Sequence, residues 1–490
     1  MVSSQDVLNI AYRTTEAFVD TIPKQERKKY GQFFTSRKTA EFMASLFAID
    51  YAKEELKILD AGAGTGVLTI ALAVQLRKNG YKGQITAVCY EKDAKVLPIL
   101  FKNLECLNES LGVCYEIRRD NYLLSQNFNE IDLFNRVAEQ YDMVIGNPPY
   151  QKIPKDAPEA KAMCEVCHGA PNMYFLFWAM GIHNLRAGGE MVYIIPRSWT
   201  SGAYFERFRS YLFRHCVITN IHIFGSRDKV FDGEFVLQET MIIKVKKTKE
   251  KSPYIRMSSC QASDFVDIRY YNVNYGTIVA PNQFVFLVTS AEELEILSRV
   301  NSQTNTLQSD DLRMRTGLIV DFRSREVLRD NSEDGSYPLI YSHHIRNGRV
   351  SWPDGRKAEY ILTQKRGYLQ ENTDYLFVKR FTSKEENRRL QCGIYLKSDF
   401  SQYKYISTQN KVNYIRCDAP ELAYGLFVIL NSTLYDSYYR ILNGSTQVNS
   451  TEINLMPVPS KDTIRQMGRE LIGMELTEDN CNKIIDRWIR

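Results

Sequence analysis

The first half of the chain alternates short apolar runs with stretches in which apolar residues recur every three to four positions. The runs are Leu56–Ala61, Gln84–Tyr90, Cys114–Ile117, Met143–Gly146, Glu190–Pro196, Val217–Phe224 and Glu239–Val245. Each is bounded by Gly, Pro, Asn or charged residues and is rich in Ile, Val and Tyr, which reads as strand. Between most of them lie helical patterns: Val67–Lys78, Ala94–Leu107, Asn172–Leu185 and Ala203–Arg214. Alternating strand and helix predicts a mostly parallel, doubly wound sheet of seven strands with helices on both faces, an α/β fold. No helical pattern separates the last two strands, which are expected to form an antiparallel hairpin at one edge. The charged, Pro-terminated tract Lys246–Pro253 then breaks the pattern. A domain boundary is placed there, with one domain over 1–248 and an irregular α+β domain over 249–490.

The length, 490 residues, suits two domains. With 44% hydrophobic and 25% charged residues the composition is that of a water-soluble globular chain. No apolar run is long enough for a bilayer, and the polar start MVSSQDVLNIAYRTTEAF lacks a signal peptide's basic head and apolar core, so a cytoplasmic location is expected. The ten cysteines are scattered apart from Cys164 and Cys167, a distribution that suits reduced thiols. The net charge of +5 is modest, but Tyr341–Cys417 carries 15 Lys and Arg against 7 Asp and Glu. Tyr341, Trp352, Phe381, Tyr395, Tyr403 and Tyr405 are interleaved with those cations. Cations for phosphates with aromatics between them fit a nucleic-acid groove; a solvated basic face is the plainer alternative.

Two motifs carry chemistry. Asp60-Ala61-Gly62-Ala63-Gly64-Thr65-Gly66 joins a strand to a helix. Glycines in such a turn let backbone approach a ligand closely. Dinucleotide enzymes place a pyrophosphate there, at the helix N-terminus. Asp60 would repel one, so a cationic ligand without phosphate is expected, and the sulfonium and ammonium of S-adenosylmethionine answer that description. Glu91 closes the next strand 25 residues after Gly66, where a doubly wound fold keeps its ribose-diol acceptor. Asp120 follows the third strand and is a weaker candidate to accept from an adenine amino group.

The second motif, Asn147-Pro148-Pro149-Tyr150, follows the apolar run Met143–Ile145. An adenine amino nitrogen is a poor nucleophile because its lone pair is delocalised into the ring. Acceptors outside the ring plane favour a pyramidal nitrogen with a localised pair. The Asn147 side-chain oxygen and the Pro148 carbonyl are such acceptors, Pro149 stiffens the turn, and Tyr150 offers a flat face for a base. No strong general base is required, since placing both reactants in line does most of the work.

With these motifs the chain resembles the bacterial N6-adenine DNA methyltransferases of type II restriction–modification systems, gamma arrangement, in the branch typified by PstI and BsuBI. Lys29–Thr35 looks like the N-terminal cofactor motif, with Ser36 where the family usually has Pro. Ile195–Trp199, Phe224–Arg227 and Gln238–Thr240 match the branch more narrowly. Thr316–Arg323 and Asn443–Asn449 look like its target-recognition domain. The resemblance implies S-adenosylmethionine as cofactor, held by Phe34, Thr35, the Asp60–Gly66 loop, Glu91, Asp120 and the edge of Asn147. It implies double-stranded DNA as substrate, with the target adenine flipped out against Tyr150 and either Phe231 or Phe235. Arg380, Arg388, Arg389, Thr446, Gln447 and Asn449 become candidate DNA contacts. It further implies a monomer, a separate cognate endonuclease and a short palindromic site such as CTGCAG.

Cys164-Glu165-Val166-Cys167-His168 matches a haem-attachment pattern that belongs to exported proteins, and it lacks a fourth zinc ligand nearby. His343-His344 is read as a polar pair in the basic stretch, and no metal is expected. Two other functions compete. Protein-glutamine methyltransferases share Asn-Pro-Pro-Tyr, and a decayed methyltransferase fold could bind DNA without catalysis. A long basic C-terminal half argues against the first, and intact Asp60, Glu91 and Asn147–Tyr150 against the second.

Overall fold

The apolar runs of the first half assemble into one nine-stranded sheet in the computed structural model, which describes residues 4–21, 35–128, 140–225, 240–261, 265–382, 386–443 and 446–489. In chain order the elements are α1 (Ser4–Val19), α2 (Arg37–Ser45), β1 (Glu55–Ala61), α3 (Val67–Lys78), β2 (Gln84–Tyr90), α4 (Leu97–Leu111), β3 (Val113–Arg118), β4 (Tyr141–Gly146), α5 (Met173–Asn184), β5 (Leu185–Pro196), α6 (Glu206–His215), β6 (Val217–Phe224), β7 (Thr240–Lys246), β8 (Tyr254–Cys260) and β9 (Arg269–Asn274). Their order across the sheet is β3-β2-β1-β4-β5-β7-β6-β8-β9. Strands β1 to β5 run parallel to one another, and β7 is antiparallel to both β5 and β6.

The helices follow from their apolar faces. Residues Val67–Val74 of α3 are all buried, because the helix is covered by the sheet on one side and by Leu8, Tyr12, Phe42 and Met43 of α1 and α2 on the other. Helix α5, MYFLFWAMGIHN, is apolar all round, as a helix buried on both faces must be. Its Phe175 and Trp178 pack on Phe208 of α6.

The hairpin is not an edge. β7 lies between β5 and β6, and β6 takes β8 as a parallel neighbour, with Ile221 opposite Met257 and Ile223 opposite Ser259. Two further strands therefore extend the expected seven. The boundary moves with them: the chain divides into Met1–Thr289 and Ser290–Arg490, not at 248. The charged tract around Lys249 is only a loop between β7 and β8, two strands of the same sheet with β6 between them.

The second unit is α+β, as expected. Short strands form a six-stranded sheet that includes Met314–Thr316, Val412–Cys417 and Asp374–Lys379, and a five-stranded sheet that includes Ser336–Ile340 and Tyr405–Thr408. Helices Pro420–Leu430, Lys461–Leu471 and Glu478–Trp488 pack together beside them.

Candidate active site

Strand order reverses between β1 and β4, and ligands of open α/β sheets bind in the crevice that such a reversal leaves at the strands' C-terminal ends. The register pairs Ile58 with Met143 and Leu59 with Val144, so the glycine turn after β1 and the Asn147–Tyr150 turn after β4 emerge side by side. Between them opens a cleft of about 550 Å³.

The glycine turn is built on positive φ: Gly62 at +75°, Gly64 at +56° and Gly66 at +82°. Its amides are already engaged. Gly62 N and Ala63 N donate to the Tyr90 carbonyl at 2.9 and 3.0 Å, and Gly64 N donates to Glu91 Oε2 at 2.9 Å. Amides engaged in this way do not offer themselves to a pyrophosphate. Glu91 also accepts from Asp93 N at 2.8 Å, while burial pushes its pKa up against those bonds. Carboxylates of Glu91, Asp93 and Asp120 line the cleft with Lys92 and Lys95.

Of the residues singled out from the sequence, Thr35, Gly62, Gly64, Glu91, Asp120, Asn147 and Pro149 line this cleft. Asp60, Ala61, Gly66, Pro148 and Tyr150 stand behind it. Asp60 is fully buried, accepts from Thr69 Oγ1 at 2.8 Å, and burial pushes its pKa up to about 7. It shapes the end of β1. Phe34, Phe231 and Phe235 lie outside the described residues.

Asn147 Nδ2 donates to Thr35 Oγ1 at 3.2 Å. The turn that carries it is pinned to the start of α5: Asn172, the helix N-cap, donates through Nδ2 to the Tyr150 carbonyl at 3.1 Å, and Met173 N donates to the Gln151 carbonyl at 2.8 Å. The Tyr150 hydroxyl donates to the Ile194 carbonyl at 3.0 Å, its ring meets Tyr174 edge-on, and only 9% of the residue is exposed. Among the cleft's walls, sequence reasoning missed Asn121, Gln151, Met173 and Phe177. A helix that is apolar on every side gives no sign of which residue faces a ligand.

The candidate DNA contacts divide. Arg389 is fully buried and holds the Thr382 carbonyl, and Arg388 pairs with Glu478 at 2.7 Å, so both brace the fold rather than offering free cations. Asn449 Nδ2 donates to Glu452 Oε1 at 3.2 Å. Thr446 is exposed, and Arg380 and Gln447 are half-buried near it. His344 takes the Tyr341 amide on Nδ1 at 3.0 Å and meets Glu359 through Nε2 at 2.7 Å, so both ring nitrogens serve a buried brace. Cys167 faces inward, its thiol on the Met163 carbonyl at 3.3 Å and its pKa pushed up to about 12 by burial, whereas Cys164 and His168 are exposed.

The sheet order and the occupied glycine turn define a methyltransferase fold. The profile of the Eco57I restriction-modification methylase family matches residues 69–231. The type II methyltransferase M.PstI of Providencia stuartii is 31% identical over 97% of this chain and 96% of its own length. M.BsuBI of Bacillus subtilis is 32% identical over 91% of each chain. Among solved structures, the type IIL restriction-modification enzyme MmeI in complex with DNA has a TM-score of 0.54 at 13% identity, covering 99% of this chain and 75% of that one, a likeness of fold. The chain belongs to the type II methyltransferases of restriction–modification systems, the family of M.PstI and M.BsuBI.

Proposed function

We propose that the protein methylates N6 of adenine in a short site of double-stranded DNA, drawing the methyl group from S-adenosylmethionine. One observation carries this: the glycine turn with Glu91 and the turn bearing Asn147 open onto the same cleft of about 550 Å³, a size suited to a small cofactor. Glu91, Asp93 and Asp120 in the wall beside Lys92 and Lys95, with the Gly62, Ala63 and Gly64 amides already bonded, suit a ligand with a ribose and no phosphate. That cofactor supplies a methyl group on a sulfonium, which leaves as a neutral thioether.

The residues of the chain do the rest. Glu91, which lines the cleft, is proposed to accept from a ribose diol, and Asp120 from an adenine amino group. Thr35 engages the donor end of the Asn147 amide, so the acceptor role falls to Asn147 Oδ1, with the Pro148 carbonyl as its companion. Two acceptors on one amino group hold its nitrogen pyramidal and aimed. The adenine must leave the duplex to reach them, at a cost of a few kcal/mol. Tyr150, fixed by Ile194 and Tyr174, is proposed to offer its ring to the flipped base. Phe231 or Phe235 is proposed for the other face. The second unit, Ser290–Arg490, is proposed to recognise the site, and the modification to protect DNA from an endonuclease carried on a separate chain. CTGCAG is the proposed site by analogy with the branch.

Expression in a host free of DNA methylation, with long-read sequencing of its genome, tests base, position and site together. Methylated adenine at one short motif is expected. The Asn147→Ala variant should leave that motif unmodified while cofactor affinity changes little. Turnover within about tenfold of wild type, some 1.4 kcal/mol of barrier, would remove Asn147 from the chemistry.

A further inference from the structure

The basic stretch 341–417 is only partly taken up by ion pairs and burial, and its Lys357, Lys365, Arg366, Lys397 and Lys404 are exposed with no ion pair among the described residues. Arg346 and Arg356 pair with Asp354, Arg388 with Glu478 and Arg416 with Glu371, while Arg389 is buried. The exposed cations without an ion pair among the described residues include Arg315, Arg323, Arg325 and Lys411. They flank the segment Thr316–Arg323.

That segment is mounted rigidly. Gly317 N donates to the Val412 carbonyl at 2.9 Å, Ile319 N to the Thr408 carbonyl at 3.2 Å and Asn410 N to the Ile319 carbonyl at 2.8 Å. Gln409 Nε2 donates to Asp321 Oδ2 at 3.2 Å. A Cβ at position 317 would sit 2.2 Å from the Gln409 carbonyl oxygen, so only glycine lets the segment lie this close. Ile319 points in and is fully buried; Leu318 and Phe322 point out and are 54% and 67% exposed. The Arg323 guanidinium lies 5.3 Å from the Phe322 ring centre.

The turn Gln409–Lys411 also holds the neighbouring loop. Arg380 donates from its backbone to the Lys411 carbonyl and from its guanidinium to the Asn410 carbonyl, both at 3.0 Å. That guanidinium lies 5.5 Å from the ring centre of Phe381, which is 46% exposed and bridges to Gln447. Two loops distant in sequence thus present Leu318, Phe322 and Phe381 on one hub, with a guanidinium beside each ring.

Three exposed apolar side chains held by one turn give a partner apolar surface to cover. The cations select a polyanion, and the rings select one with flat apolar surfaces between its charges. Duplex DNA has both, and apolar side chains enter its base steps while arginine neutralises phosphate. We propose that this face is where the unit Ser290–Arg490 meets duplex DNA, with Phe322 wedged against the base stack and Arg323 on the adjacent phosphate. The proposal rests on the reading of the protein as a DNA methyltransferase.

The test uses the full chain and the duplex found by methylation mapping. Affinity for that duplex and for a scrambled one is measured by fluorescence anisotropy across a salt series. Phe322→Ala should weaken the site duplex by about tenfold or more, the loss of one stacking contact, with the scrambled duplex little changed, and Phe322→Trp should keep most of it. Arg323→Ala should weaken both duplexes alike and lower the salt slope by about one. A circular-dichroism spectrum and a thermal unfolding profile like those of the wild type in each variant establish that both units are folded. Phe322→Ala binding and methylating like wild type overturns the proposal alone. So does a Phe322→Ala effect confined to sedimentation, which would make a second copy of the chain the occupant. A wild-type chain that methylates no duplex overturns the reading beneath it.

Discussion

Asp60 shows how far a residue's role can depart from its motif. Its position before the glycines suggests a ligand group, yet it is buried, with Thr69 as its hydrogen-bond partner, and its pKa is pushed up to about 7. An aspartate whose folded pKa lies above its unfolded value binds more protons folded than unfolded between the two. Its contribution to stability therefore falls as pH rises from about 4 to about 7 and stays low above that. Asp60→Asn removes the titration and keeps the size. In thermal melts of the protein without cofactor, the wild type should be most favoured over Asp60→Asn near pH 5, and the difference should shrink or reverse by pH 8. A difference constant across that range would mean that Asp60 is ionised throughout. The sequence showed that a carboxylate closes β1, because that chemistry is local. It did not show which way the side chain turns, because Thr69 is supplied by the packing of α3. Tyr150 teaches the same lesson through Ile194, and Arg388 through Glu478, 90 positions further along the chain.

At the scale of elements, what was legible was whatever depends on neighbours in sequence. Strands β1, β2, β4 and β6 and helices α3 and α5 fall within a few residues of their patterns, since period and punctuation are local. The place of β7 between β5 and β6 was not legible, because pairing is a long-range choice between equally apolar strands. The turn between β1 and α3 joins the two levels. Gly64 and Gly66 both have positive φ, but a Cβ on Gly64 would meet nothing within 4 Å, whereas one on Gly66 would lie 2.8 Å from Leu100 Cδ1. Gly64→Ala should cost about 1–2 kcal/mol, the backbone penalty alone. Gly66→Ala should add overlap with α4 and reach about 2–4 kcal/mol. Urea titrations that gave equal losses would show that Leu100 moves aside freely.

For the whole molecule, the position of the boundary decides which part can stand alone. A chain ending near Lys251, as the charged tract suggests, would strip β8 and β9 from the sheet. The edge of β6 would then lie open, with Ile221 and Ile223 facing water and His222 deprived of its bonds to Ser258 and Cys260, at 2.9 and 3.2 Å. The segment after β9 matters too: Val285 N donates to the Thr200 carbonyl at 2.9 Å, and the Arg209 guanidinium lies 5.2 Å from the ring centre of Phe284. Exposed apolar strand edges recruit other chains. The fragment 1–251 should therefore aggregate, whereas 1–289 should be monodisperse and unfold in one cooperative step. Fragment 1–289 should bind S-adenosylmethionine with an affinity close to that of the full chain, since every described residue lining the cleft lies between Thr35 and Phe177. It should not distinguish the mapped site from a scrambled duplex. Light scattering and calorimetry on the two fragments check the first two expectations, and anisotropy on 1–289 the third. If 1–289 still prefers the mapped site, recognition lies in the first unit, and the division of labour between the two units is wrong.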